Sequence, residues 1–164
     1  MTPSEHPLVI RAAVPTDVGV ILSLIRDLAT YEREPDAVVA TEADLLRDGF
    51  GPSPAFEVLL AERDGEAIGF AFYFFTYSTW RGRQCLYLED IFVRPAHRGA
   101  GAGLALMRAL AQKAVQRGCA RFVWQVLDWN EPAIAFYEKL GASIQREWLT
   151  VRMEGEALAR LAGG

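Results

Sequence analysis

One stretch of this chain limits its possible folds more than any other. Residues 86–93 are apolar except for two adjacent carboxylates, and a glycine-rich loop and a helix-like segment follow at once. Charges within a core strand cost free energy unless they are paired or used. Glycines before a helix let the backbone approach a ligand closely. The stretch therefore predicts a buried strand, a ligand-binding loop and a helix in direct succession.

The two carboxylates belong to Glu89 and Asp90. Because neighbouring strand residues face opposite sides of a sheet, we expect one acid to face a cleft and the other to lie on the reverse. A partly desolvated carboxylate has a raised pKa and can act as a general base, a role we expect for Glu89. In the alternative interpretation both acids cap loops or pair with arginine.

The loop reads Arg98-Gly99-Ala100-Gly101-Ala102-Gly103. Free N–H groups at a helix start, together with the helix dipole, attract phosphate, so the loop can hold a pyrophosphate with Arg98 nearby. It lacks the Gly-Lys-Ser/Thr of a Walker loop and the Gly-x-Gly-x-x-Gly of a dinucleotide fingerprint, which disfavours a nucleotide-binding domain. For the loop alone, a flexible turn remains an alternative.

The rest of the chain predicts a mixed α/β domain with one sheet and helices on its faces. Strands are predicted at 8–12, 56–62, 66–76, 84–93, 122–127 and 144–153, with a hairpin turn at Asp64-Gly65. Helices are predicted after Asp17, from Thr41, over 101–117, over 130–140 and at the C-terminus. Thr41 with Asp44 predicts a capping box, Gly118 the end of the helix over 101–117, and Asn130 an N-cap. We expect one domain over residues 1–164, with a loose tail at 1–7.

Composition excludes several classes of protein. Lys and Arg number 17 against 21 Asp and Glu, and the net charge of −4 disfavours nucleic-acid binding. Two cysteines and two histidines without metal-ligand spacing predict no metal site. No apolar run reaches the ~18 residues of a membrane span, and no export signal is present, so we expect a cytoplasmic protein without membrane attachment.

Arg98, Gly101 and Gly103 after a strand, with Asn130 and Tyr137 later in the chain, resemble the GNAT superfamily of N-acetyltransferases. The similarity extends to the diamine (spermidine/spermine) N-acetyltransferases and their thialysine-acetylating relatives. It covers nearly the whole chain, most specifically residues 28–32, 48–51, 74–80, 86–90 and 129–132. It implies the GNAT fold, with a mixed central sheet of about six to seven strands flanked by helices on both faces.

The resemblance also implies acetyl-CoA as the cofactor, Glu89 as general base and Tyr137 as general acid. The backbone of the strand would hold the pantetheine arm and the acetyl group at Ile91, Phe92 and Val93. The pyrophosphate would contact Arg98, Gly99, Ala100, Gly101, Ala102, Gly103 and Leu104. Further cofactor contacts would come from Asn130, Glu131, Pro132, Ala133 and Tyr137. The amine site would be lined by Tyr31, Glu32, Glu89, Trp124, Gln125 and Glu147.

The predicted reaction is direct attack of a primary amine on the acetyl thioester. Backbone N–H groups at residues 91–93 would stabilise the oxyanion, which requires a break in the sheet ladder. A short 143–148 segment and the Trp124-Gln125 pair depart from the polyamine enzymes, so the amine stays open between a polyamine and a lysine-like amino acid. Other readings are an aminoglycoside or a protein N-terminus as acceptor, or a non-catalytic acyl-CoA-binding module. The resemblance suggests a homodimer.

Overall fold

The computed structural model describes residues 6–164, which form two compact units that meet in sequence between Gln125 and Val126. Of the predicted tail, residues 1–5 lie outside the described residues, and His6 Nδ1 lies 2.8 Å from Asp64 Oδ1. Within residues 6–164, no helix is both long and apolar enough to cross a membrane.

The first unit is built on a five-stranded sheet with strands in chain order. The strands are β1 (Val9–Ala12), β2 (Glu57–Arg63), β3 (Glu66–Ser78), β4 (Arg83–Val93) and β5 (Phe122–Trp124). Neighbours are antiparallel from β1 to β4, and β5 joins β4 in parallel. The predicted Asp64-Gly65 hairpin turn is confirmed, because both residues have positive φ, 56° and 76°, as a tight turn of this kind requires.

Two helices cover one face of this sheet. Helix α1 (Val18–Tyr31) and helix α2 (Glu42–Gly49) pack their apolar residues against Phe70 of β3 and Phe92 of β4. The predicted capping box of α2 is confirmed, since Thr41 Oγ1 accepts from the Asp44 N–H and Asp44 Oδ2 accepts from the Thr41 N–H.

Helix α3 (Ala102–Gln116) covers the opposite face. Its buried residues include Leu106 and Leu110, and its Lys113 Nζ lies 5.9 Å from the ring centre of Tyr73. Tyr73 lies on the face of β3 opposite to the phenylalanines that face α1, because neighbouring strand residues point to opposite faces. Gly118 ends the helical segment as predicted, with φ of 68°. The first unit thus has helices on both faces of a mixed sheet, and the predicted α/β class is confirmed.

The second unit, Val126–Gly164, contains helix α4 (Glu131–Lys139) and helix α5 (Gly155–Leu161). Between them, residues 144–153 form no strand, so the predicted last strand is wrong. The predicted β5, residues 122–127, is shorter than expected, and the described sheet has five strands rather than six to seven. Alternating apolar residues show only that a segment can form a strand, whereas a strand also needs a ladder partner.

Candidate active site

The register of β4 singles out Glu89. Asp90 lies opposite Phe72 of β3, and Leu88 lies opposite Tyr73, so Glu89 is an extra residue without a cross-strand partner. This is a β-bulge, in which two residues of one strand face one residue of its neighbour. Leu88 therefore faces α3, while Asp90 faces α1 together with Phe92.

The bulge corrects the prediction that regular strand alternation determines where the Glu89 and Asp90 side chains lie. Glu89 is exposed rather than partly buried, because the extra residue bends away from the ladder. Asp90 is the more buried acid, and its pKa is raised to about 7. The largest cause is burial, followed by the charges of Glu89 and Glu32. Burial also raises the pKa of Glu32, the residue that follows α1.

These three carboxylates have no cationic partner in the structure. Among residues 6–164, Glu32, Glu89 and Asp90 form no ion pair with arginine or lysine, and the side-chain carboxylates of Glu89 and Asp90 accept no hydrogen bond. The alternative in which Glu89 and Asp90 pair with arginine or cap loops is therefore wrong for the described residues. A group of like charges without counter-charge favours a cationic ligand.

The end of the β4–β5 ladder frees backbone groups beside the acids. The last residue pair of this ladder is Leu88 with Trp124, whereas β4 continues to Val93. On the side towards β3, Ile91 and Phe92 remain paired. Along the described chain, residues 89–93 thus have no strand partner on the β5 side. The expected ladder break exists, and its cause is the short β5 rather than a distortion at residues 91–93.

Arg94 fixes the end of β4 against its neighbours. Its guanidinium lies 3.3 Å from Asp27 Oδ2 and donates to the Ser23 hydroxyl of α1 and to the Ala67 carbonyl of β3. The backbone N–H of Arg94 donates to the Ile68 carbonyl. The loop that follows therefore starts from a fixed point.

The glycine-rich loop turns through two glycines in the left-handed region of backbone conformation. Gly99 and Gly101 have φ of 81° and 84°, and a Cβ at either position would meet open space. Helix α3 begins at Ala102, so its first N–H groups face the end of this loop. The predicted loop before a helix is therefore present, and its contact with a pyrophosphate stays a prediction.

The Arg98 side chain does not extend freely into solvent. Its Nε–H donates to the Val93 carbonyl over 2.8 Å. Its guanidinium carbon lies 4.6 Å from the ring centre of Tyr31 and 5.3 Å from that of Phe92. The structure thus joins the predicted phosphate loop to a residue predicted to line the amine site.

The remaining predicted residues are placed as follows. Trp124 lies beside Leu88 in the β4–β5 ladder, and the exposed Gln125 follows it. In the second unit, Asn130 Oδ1 accepts from the Ala133 N–H over 3.4 Å, so Asn130 is the N-cap of α4 as predicted. Tyr137 of α4 is buried, and Glu147 is exposed.

Sequence reasoning missed two features of this site. It did not identify Asp90 as the more buried acid, although two acids within one apolar strand signal that either can be the buried one. It also placed Arg98 only beside the phosphates, because no local pattern reveals its contact with Tyr31 across the fold.

Among the described residues, no three His, Cys, Asp or Glu side chains are grouped so that they could hold a metal ion.

A family model for the acetyltransferase (GNAT) family matches residues 21–142. The chain belongs to this family. It is an acetyltransferase, and the predicted membership of the GNAT superfamily is confirmed. This GNAT chain is 44% identical to the thialysine N-epsilon-acetyltransferase of Sus scrofa, over 95% of its own length and 98% of the relative's.

A second relative is the spermidine/spermine N(1)-acetyltransferase-like protein 1 of Homo sapiens, 39% identical over 93% of this chain and 23% of that protein. Among solved structures, an integron cassette protein from the mobile metagenome of V. cholerae superposes with a TM-score of 0.79 at 30% identity, over 96% of this chain and 98% of the other. An aminoglycoside N-acetyltransferase in complex with CoA shares the fold, with a TM-score of 0.73 at 21% identity over 94% and 100% of the two chains.

Proposed function

We propose that this enzyme transfers the acetyl group of acetyl-CoA to a primary amine of a small cationic acceptor, either a polyamine or a lysine-like amino acid. The observation that carries the proposal is the cluster of Glu32, Glu89 and Asp90, three carboxylates without a cationic partner in the described chain. The names of the two relatives, thialysine and spermidine/spermine acetyltransferases, agree with such an acceptor.

The cofactor side of the proposal uses backbone groups. The β4 edge at Ile91, Phe92 and Val93 would hold the pantetheine arm, because it has no strand partner on the β5 side among the described residues. The N–H groups of the glycine loop and of the start of α3 would hold the pyrophosphate. Asn130 to Ala133 in the second unit would contribute further contacts. When bound, acetyl-CoA supplies an acetyl thioester that an unprotonated amine can attack.

The acidic side of the proposal binds the amine and takes up its proton. A protonated amine has no free electron pair, so a base must accept a proton before attack. Glu89 is the proposed base, acting directly or through water, because the bulge turns it out of the ladder beside the free edge of β4. Glu32 and Asp90 would attract the cationic acceptor. Tyr137 is the proposed general acid that returns a proton to the departing thiolate.

The deciding experiment is a CoA-release assay over polyamines, lysine analogues and aminoglycosides. We expect turnover with polyamines or with lysine-like amines such as thialysine, and little with aminoglycosides. Preference for an aminoglycoside or for a peptide N-terminus would replace the proposed acceptor. Tight binding of acetyl-CoA without turnover of any amine would favour the non-catalytic acyl-CoA-binding module.

The proposal also covers the localisation, the oligomeric state and the binding partners of the enzyme. We propose a cytoplasmic homodimer that needs no metal and binds neither nucleic acid nor membrane. The net charge of −4 supports the exclusion of nucleic acid, because a protein that neutralises phosphates needs an excess of basic residues.

A further inference from the structure

Arg98 is held by three contacts that leave part of its guanidinium available. Its Nε–H donates to the Val93 carbonyl over 2.8 Å, and the group lies over the rings of Tyr31 and Phe92. Its two terminal amino groups make no hydrogen bond within residues 6–164. A guanidinium binds phosphate best through such terminal N–H groups, two at a time.

The contacts also fix the orientation of the guanidinium plane. The Nε hydrogen bond anchors the guanidinium at the end of β4, and the two rings, tilted 51° to each other, contact it from beside. Phe92 is buried in the core beside α1, and Tyr31 is the last residue of α1. A long side chain held in one place loses less conformational entropy on binding than a free one.

We propose that Tyr31 is a positioning residue for the cofactor: its ring holds the Arg98 guanidinium so that the terminal amino groups meet the pyrophosphate of CoA. The inference rests on the proposed function, because it requires CoA at the glycine-rich loop. It goes beyond that function, which gives Tyr31 no role, and beyond the resemblance, which places Tyr31 only in the amine site. One side chain would then serve both substrates.

Binding of CoA measured by calorimetry tests the role of the ring without any turnover. We expect Tyr31→Leu to weaken CoA binding about two- to fivefold, the size of an exposed cation–π contact. Tyr31→Phe keeps the ring and is the matched control, for which we expect wild-type affinity. Binding of pantetheine, which has no phosphate, should be the same for all three proteins.

A double-mutant cycle with Arg98→Ala isolates the contact. In the Arg98→Ala background, Tyr31→Leu should cause no further loss of CoA affinity. An equal loss in that background, an equal loss for pantetheine, or unchanged or tighter CoA binding by Tyr31→Leu would overturn the inference while the proposed function stands. If the wild-type chain itself fails to bind CoA, both the inference and the proposed function are wrong.

Discussion

At the scale of single residues, the site depends on which of two adjacent acids is buried. Asp90 is packed on the α1 face of the sheet, and Glu89 is turned into solvent by the bulge. The burial that raises the pKa of Asp90 to about 7 acts against its charged form, so this acid titrates in the range where enzymes work. Glu89 and Asp90 therefore lie in different environments, although they are neighbours in sequence.

The raised pKa of Asp90 predicts a dependence of stability on pH. Because the folded chain holds this proton up to about pH 7 and the unfolded chain loses it near pH 4, stability falls as pH rises between these values and stays reduced above pH 7. Asp90→Asn removes this cost. We expect a free energy of unfolding at pH 8 about 1–3 kcal/mol above wild type, with the difference vanishing near pH 4.

Urea unfolding at several pH values measures this effect. Asp36→Asn, in an exposed loop, is the control and should follow the wild-type curve. If the difference in the free energy of unfolding between Asp90→Asn and wild type does not change with pH, the pKa of Asp90 is not raised in the folded chain.

Glu89→Gln tests the proposed base. Loss of a general base costs about 10²- to 10⁴-fold in rate, so we expect kcat to fall by that factor while the Kd for acetyl-CoA, from calorimetry, is unchanged. Asp90→Asn is the comparison variant: at saturating amine it should keep most of its kcat at pH 8, whereas its KM for the amine should rise because Asp90 is proposed to attract the acceptor. If Asp90→Asn loses more activity than Glu89→Gln, Asp90 rather than Glu89 accepts the proton.

At the scale of elements, Gly69 of β3 leaves room for the backbone of β4 at residues 92–93, the end of the proposed cofactor edge. A Cβ on Gly69 of β3 would lie 2.7 Å from the Phe92 carbonyl oxygen and 3.2 Å from the Val93 Cα. These are backbone atoms, which cannot rotate away as a side chain can. The position of residues 92–93 therefore depends on the absence of a side chain one strand away.

Gly69→Ala should displace β4 and destabilise the fold. We expect a loss of about 1–3 kcal/mol, which lowers the Tm by several degrees, together with weaker CoA binding. Gly103→Ala is the matched control, because its Cβ would meet only Val93 Cγ2 at 4.0 Å, an ordinary contact. Thermal unfolding compares the two variants, and equal Tm values would contradict the assigned role of Gly69.

The elements also show how far the sequence predicts this fold. The hairpin at Asp64-Gly65, the cap at Thr41 and the cap at Asn130 were predictable, because each depends on a few neighbouring residues. The bulge at Glu89 and the early end of β5 were not, since both depend on register between distant segments. For the same reason the contact between Arg98 and Tyr31 escaped prediction, whereas the glycine-rich loop before α3, a local feature, was predicted.

At the scale of the whole molecule, the second unit leaves large apolar side chains exposed. Trp148 is 72% exposed and Val151 93%, and both lie in the segment with the predicted strand pattern. Exposed apolar residues close together are typical of interaction surfaces. This observation supports the proposed homodimer. Separately, the expectation of a single domain over residues 1–164 stays a prediction.

Light scattering after size exclusion tests the dimer. We expect a mass of about twice 18.2 kDa for the wild type, and a shift towards the monomer for Val151→Glu, because a charge within an apolar interface is costly. Val39→Glu is the matched control, since Val39 is 88% exposed in the first unit and outside this segment. A monomeric wild type, or equal shifts for both variants, would count against the proposal.

The bulge in β4 bears on how such a site can arise. Leu88 and Asp90 lie opposite consecutive residues of β3. Without Glu89, β4 would therefore pair with β3 in a regular ladder, and all of its remaining side chains would stay on their present faces. Glu89 is therefore an addition to a strand that is complete without it. Insertion or loss of a single codon at this point can add or remove the proposed base, and the rest of the sheet keeps its register.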